Sequence, residues 1–434
     1  MSVYLIVLFL LMLVFLAGAI KFVIWYKSLK RRSLDALKDL PNDQFSDWST
    51  SFLANKRQEM DLLADATIQE IMEKGELAAV NQLFEMITKD KDQLPADAPQ
   101  TLKAYFEMSG ELPVWANQDL IALGQQIYIR HGIWVNLMLS YKSLPECYAC
   151  ASGAEVLYQT ARLNEKHGEM NAFSRRIAET ALFVVYAMTP GGLSIKGKGL
   201  RAIQKVRLIH AVIRYYLKRQ GWDASKYGEP INQEDMAGTL MAFSALILEG
   251  LESIDIKLEE VEMEAYTHCW AIIGHLMGLQ DDMIPHTSAS ASELGHAIFD
   301  HQVAKSSQGA ALMDALLVFQ NKKSQPILGE KSNHALMRFF MGKDISDMLD
   351  VPSVETAHIH TMGKRLKFWA WIAEKLDKSL VFSMVLQWIT KHLSILMISR
   401  MTDTSIINFY IPKSLTVDWG ISTPKNQRHG ASLD

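Results

Sequence analysis

The apolar positions of this chain fall into helical spacing almost everywhere, after an opening run that has hardly a polar position in it. Val3 to Ile20 is continuous apolar sequence, Lys21 interrupts it, and Phe22-Val-Ile-Trp-Tyr26 resumes it. A run of this length suits a bilayer span of about 20 residues, with Trp25 and Tyr26 at the interface and Lys21 reaching the headgroups. Ala17-Gly18-Ala19 has the small residues of a cleavage site, but Met1-Ser2-Val3-Tyr4 carries no basic side chain, so an uncleaved anchor is expected. Lys27, Lys30, Arg31 and Arg32 follow at once. The positive-inside rule then puts the N-terminus outside and the rest of the chain on the cytoplasmic side.

From Ser33 to about Pro99 the chain is polar, with helical periodicity around Ile68–Ile87 and a surface loop over Lys89–Pro99, which suits a stalk or an early helical layer of the same domain. Beyond Trp115 the pattern predicts helices over Leu120–Ile129, Ile133–Leu139, Ala154–Leu163, Asp235–Leu251 and Leu258–Met277. Asn232-Gln-Glu-Asp235 supplies an acceptor cap and early acidic residues for one of them. Strict alternation rarely lasts four residues, so strands are not expected. Ser379–Ile398 is apolar-rich but divided by Gln387, Lys391 and His392, which suits a core helix. Periodicity fades after Arg400, and Pro424–Asp434 reads as a loose tail.

The chemistry concentrates between Asn171 and Arg219. Phe173, Ile177, Ala181, Val184 and Met188 make one arm of a helical hairpin, Pro190-Gly191-Gly192 stops it, and Lys196-Gly197-Lys198-Gly199 extends the turn. The second arm, Leu200–Arg219, carries Ile203, Val206, Ile213 and Leu217 on one face, and His210 falls in that stripe. Arg207 and Arg214 lie one turn to either side of His210, while Arg176 and Thr180 are one turn apart on the first arm. Thr180 and His210 each sit roughly ten residues, about 15 Å, from the turn, so packed arms bring them to one level. Such a pair of walls holds either a ligand site or a buried structural histidine with arginines reaching water.

Composition narrows the choices. Hydrophobic residues make up 49%, the formal charge is −4 and there are twelve prolines, which suits one large helical body. No basic run beyond the juxtamembrane cluster points to nucleic acid. Cys147-Tyr-Ala-Cys150 lacks a following histidine and a second pair, and Cys269 stands alone, so reduced thiols are expected. Glu293-x-x-His296 and Glu355-x-x-His358 have the helical spacing of di-iron carboxylate ligands, although two further inward glutamates have no clear place. His268 and His275 are two turns apart on one face. Asp281-Asp282 lacks the third acid of a diphosphate-binding cluster.

Several blocks in order resemble the rubber oxygenase (latex clearing protein) family, which includes the membrane-bound oxygenase of mycophenolic acid biosynthesis. They are Arg176-Ile-Ala-Glu-Thr180, Thr189-Pro-Gly-Gly-Leu193, Lys205-Val-Arg-Leu-Ile-His-Ala-Val-Ile-Arg214 and Gly228-Glu-Pro-Ile-Asn-Gln-Glu-Asp-Met-Ala-Gly-Thr239. Glu111-Leu-Pro-Val-Trp115, Tyr266-Thr-His-Cys-Trp270 and Gly274-His-Leu-Met-Gly278 resemble flanking blocks, so the likeness runs from roughly Gln100 to Arg400. It implies haem b with His210 as the proximal iron ligand, Arg207 and Arg214 beside the haem, and Arg176 and Thr180 on the distal wall. In that family a lysine precedes the distal threonine and can cap the iron; this chain has Glu179, which cannot act as a neutral amine ligand. The family's proposed base does not align either: position 160 is Thr160, with Glu165 nearby.

The expected protein is all-α, with a globin-like helical core and additional helices, preceded by one N-terminal transmembrane helix. Residues 1–26 form the anchor, 27–99 a basic juxtamembrane segment and polar helical stalk, 100–412 the haem-binding domain and 413–434 the tail. The expected activity is haem-dependent oxidative cleavage or oxygenation of a carbon–carbon double bond in an apolar, isoprenoid or lipid substrate, with dioxygen. A membrane-tethered haem sensor or carrier is the non-catalytic alternative.

Overall fold

The structure is a computed structural model and describes residues 3–41, 43, 48–74, 98–162, 170–324 and 328–377. The described residues are helical and contain no strand beyond an isolated bridge between Cys150 and Val303. The expected all-α class holds. Expectations placed on Ile87, on Glu165 and on everything from Ser379 onward lie outside the described residues.

The first helix, α1 (Val3–Ala36), does not end where the apolar sequence does. Its second half packs on the body: Leu29, Ser33 and Ala36 are buried, and Tyr26 donates a hydrogen bond of 2.8 Å to Glu262. The basic residues after Tyr26 are partly engaged there. Lys30 pairs with Glu259 at 2.5 Å and Glu262 at 3.3 Å, and Arg32 pairs with Asp119 at 3.0 Å.

Of the segment expected as a stalk or an early helical layer of the same domain, the described helices pack on the body. Helices α2 (Thr50–Lys56) and α3 (Leu62–Glu73) bury Leu53, Ala64, Ile68 and Ile71. Their polar residues kept the stalk reading open, yet those residues either face solvent or pair with partners far along the chain. Next come α4 (Gln100–Met108) and α5 (Gln118–Met138), the latter capped by Asn117, whose side chain accepts from the backbone N–H of Asp119 and Leu120. Two predicted helices merge in α5, because no strong breaker separates Ile129 from Ile133 and Gly132 is buried.

After a π-helical turn at Leu139–Ser143 come α6 (Leu144–Ala149), α7 (Ala151–Arg162), the hairpin arms α8 (Met170–Met188) and α9 (Lys198–Arg219), and the short α10 (Ala224–Tyr227). One predicted helix, Asp235–Leu251, is two: α11 (Gln233–Phe243) and α12 (Ala245–Ser253). The break is Ser244, at φ −109° and ψ −84°, whose hydroxyl donates back to the Leu240 carbonyl. Together they make a stretch, Gln233–Ser253, long and apolar enough to cross a membrane, but it is kinked and mostly buried, as core helices are.

Helix α13 (Glu260–Met277) runs against α5 through the middle of the main core, its start fixed by a capping box between Glu259 and Glu262. The chain closes with α14 (Ser288–Gln302), α15 (Ser307–Ser324), α16 (Glu330–Met348) and α17 (Thr356–Asp377). Helix α9 sits between α8, α3 and α13, which makes it the most enclosed wall of the candidate site.

Candidate functional site

The hairpin forms because its turn admits a close approach. Gly191 takes φ +80°, a conformation that favours glycine. Backbone bonds from Gly192 to Thr189 (2.8 Å), Gly197 to Ser194 (2.7 Å) and Leu200 to Gly192 (3.0 Å) reverse the chain. A Cβ on Gly199 would sit 2.6 Å from the Ala187 Cα, so only glycine lets the start of α9 lie against the end of α8.

On α9, His210 is half-buried and its Nδ1 is sealed from solvent with no hydrogen-bond partner. Burial and the nearby Arg214 guanidinium push the imidazole down to about 4, while Asp61 pulls weakly the other way. At neutral pH the ring is therefore neutral, the form that ligates a metal.

The flanking arginines are committed to carboxylates of α3. Arg207 forks onto Asp61, with Nε donating at 2.5 Å and Nη2 at 2.8 Å, and gives Nη1 to the Leu276 carbonyl at 3.1 Å. Arg214 donates from Nε to Asp65 at 2.7 Å and from Nη1 to the Ile231 carbonyl at 3.2 Å. Its Nη2 is buried without a partner, as is Asp65 Oδ2. The resemblance implied that both arginines stand beside the haem. The structure shows that their carboxylate partners are the chain's own, with one spare donor on Arg214. Burial holds the Asp65 carboxyl above its usual range against the opposing pull of Arg214.

Asp61 and Asp65 were not singled out in the sequence. The available signal was their spacing of four at a helix start, which matches two arginines on one face of α9. Asp61 also caps α3 by accepting from the Ala64 N–H at 3.3 Å.

The other wall is α8. Arg176 is half-buried, with Tyr148 and Glu179 as its electrostatic neighbours, and burial lowers its guanidinium from the ordinary arginine value. Thr180 is exposed and its hydroxyl donates to the Arg176 carbonyl at 3.0 Å. Glu179 is half-buried between them in sequence. Thr160, at the position checked for a base, donates to the Val156 and Leu157 carbonyls of its own helix and has no acid–base capacity there.

The donor set fits a haem in part. A neutral imidazole with no competing hydrogen bond suits the iron, and the spare Arg214 Nη2 suits one carboxylate. Each nitrogen of Arg207 already donates to Asp61 or to the Leu276 carbonyl.

The rival di-iron residues are not assembled. Glu293 and His296 are exposed on α14, Glu355 is exposed at the start of α17, and no group of three or more His, Cys, Asp or Glu side chains converges on a metal position among the described residues. The thiols of Cys147, Cys150 and Cys269 are free. His268, His275 and His286 instead surround the Trp115 ring, with centroids at 5.7, 6.2 and 4.7 Å.

Comparison with known proteins bears on this hairpin directly. Residues 147–373 match the sequence model of a family described as ER-bound oxygenase mpaB/B'/rubber oxygenase, catalytic domain. Rubber oxygenase from Streptomyces sp. (strain K30) is 25% identical over 306 residues, which span 66% of this chain and 69% of that protein. The closed-state structure of latex clearing protein superposes with a TM-score of 0.63 at 22% identity, over 77% of this chain and 91% of that one. That likeness is of fold.

Proposed function

The chain belongs to the ER-bound oxygenase/rubber oxygenase family and is an oxygenase, and from that premise we propose that it uses haem b with His210 as the proximal ligand. The observation that carries the reading is His210 itself: a half-buried imidazole whose Nδ1 is sealed from solvent without a hydrogen bond, on a helix enclosed by α8, α3 and α13 within the matched region. Bound haem would supply the activation of dioxygen.

This chain's residues would do the rest. Arg214 would offer its spare Nη2 to a haem carboxylate. Arg207, bonded to Asp61 and Leu276, would hold α3 against α9 and so keep the histidine wall in place. Arg176 would present a buried cationic donor on the facing wall, with Thr180 as a weaker donor beside it. Glu179 would accept or return a proton there, in the position where the relatives' lysine stands. The substrate would be apolar, with a carbon–carbon double bond of isoprenoid or lipid type. The apolar run of α1 would anchor the protein beside such a substrate, with the body on the cytoplasmic side.

The test is the visible spectrum of purified protein, wild type beside His210→Ala. A Soret band present in the first and absent in the second supports haem and its ligand together. A colourless wild type after haem-supplemented expression would sink the haem reading.

A further inference from the structure

Helix α17 carries an exposed aromatic cluster, with Phe368 and Trp371 on one face and Trp369 on its flank. Phe368, Trp369 and Trp371 are each more than half exposed, and Leu376 is exposed beyond them. The rings contact one another, Phe368 to Trp369 at 5.8 Å and Phe368 to Trp371 at 6.3 Å. Cations bracket the face: Lys364 lies one turn before Phe368, Lys375 lies one turn after Trp371 with its Nζ 5.8 Å from that ring, and Arg365 is exposed beside them. The opposite face of the same helix is buried, with Met362 and Ala370 in the core. Large exposed aromatics on a soluble surface are uncommon, and aromatics flanked by basic residues are the make-up of a helix lying in a lipid headgroup layer.

The position of this face favours that occupant. The loop between α12 and α13 touches both α17 and α1. On one side Lys367 pairs with Asp255 at 3.2 Å and the Lys257 N–H donates to Glu374 at 3.4 Å. A few residues on, Glu259 and Glu262 hold Lys30 and Tyr26 of α1, where the apolar run ends. The α17 aromatics therefore flank the level at which α1 would leave a bilayer. Trp25 and Ile24 are exposed at that same level of α1.

We propose that α17 docks on the bilayer surface through Phe368 and Trp371, with Trp369 at the edge of the contact and Lys364, Arg365 and Lys375 on anionic headgroups. The body is then seated on the membrane at two points rather than hung from α1 alone. This rests on the reading of α1 as an anchor. Two contacts fix the orientation of the body, so a site that takes an apolar substrate keeps one face toward the lipid.

The experiment places benzoylphenylalanine at Phe368 or at Trp371 in the full chain, reconstitutes it in phosphatidylcholine–phosphatidylserine vesicles, floats the vesicles, irradiates them and identifies adducts by mass spectrometry. Both positions are exposed, so folding is spared. Lipid adducts at both are expected, with a yield that drops about fivefold for each of Lys364→Gln and Lys375→Gln, the scale of one cation near an anionic surface. A chain that floats but gives no lipid adduct overturns the docking and leaves the anchor standing. Crosslinks into Ser379–Ile398 overturn it by showing that the chain covers its own aromatics. A chain that does not float removes the anchor and the docking together.

Discussion

His210 and His268 look alike in the sequence, each a histidine in the apolar stripe of a long helix, and the structure gives only one of them a hydrogen bond. His268 on α13 is fully buried, and its Nε2 accepts the backbone N–H of Asn117 at 3.0 Å, which places the ring proton on Nδ1. Trp115 closes over it edge-on. Its lone pair is spent on structure. His210 makes no such bond and sits between two arginines whose charges are held by Asp61 and Asp65. Neutralising those arginines matters, because two unpaired guanidinium groups beside a bound metal ion would oppose it. His268 spends its acceptor nitrogen on the Asn117 N–H, whereas His210 has none of its ring nitrogens in a hydrogen bond among the described residues.

The widest separation between the two is in cofactor binding. His210→Ala is expected to lose essentially all haem, whereas His268→Ala keeps a wild-type Soret absorbance per molecule. Equal loss in both would erase the distinction, and a pyridine haemochrome assay measures it.

Next in size is the scaffold of α9. Removing one partner of a buried ion pair costs about 3–5 kcal/mol, so Arg207→Ala or Asp61→Ala should lower unfolding free energy by that amount in urea titration. The double variant Arg207→Met with Asp61→Leu should recover much of the loss, because it leaves no stranded charge. If the single variants unfold like wild type, the pair is not what fixes α3 on α9.

His268→Ala should cost about 2–3 kcal/mol through its cavity and the stranded Asn117 N–H. The same two histidines give stability a direction with pH. Burial sets His210 to about 4 and His268 to about 3, both below the unfolded value of about 6.5. The unfolded chain thus binds more protons below that value. In the haem-free protein stability is full above pH about 6.5 and falls as pH drops through it toward about 3, and it should fall less steeply in His268→Ala.

How much of this was legible follows from sequence distance. The hairpin was, because helix spacing, Pro190 and the glycines act within one short stretch, and the block pattern around His210 carried the family. The Asp61 and Asp65 pairs were not, since 146 positions separate Asp61 from Arg207 and only packing brings α3 onto α9. For the same reason the polar segment before Pro99 read equally as a stalk or as a helical layer of the same domain. The break at Ser244 escaped because a serine is compatible with a helix interior and its backbone turns only under tertiary contact. Trp115 and His268 lay in two blocks that resembled the family separately. Their contact explains why both blocks belong to one body.

The smallest expected effect distinguishes the two walls of the hairpin. Thr180 is exposed and its hydroxyl is occupied by its own helix, so Thr180→Val should change unfolding free energy by less than about 1 kcal/mol and leave haem content untouched. Arg176→Ala, half-buried beside Tyr148, should likewise keep haem while oxygenase turnover on a polyisoprenoid lipid falls far more than in Thr180→Val. The ordering follows from what each side chain has left to give. The arginine keeps its charge despite burial, whereas the hydroxyl must first release the Arg176 carbonyl. Turnover that falls equally in both variants would mean that Thr180 reorients when substrate binds, and full turnover in Arg176→Ala would remove α8 from the reacting wall.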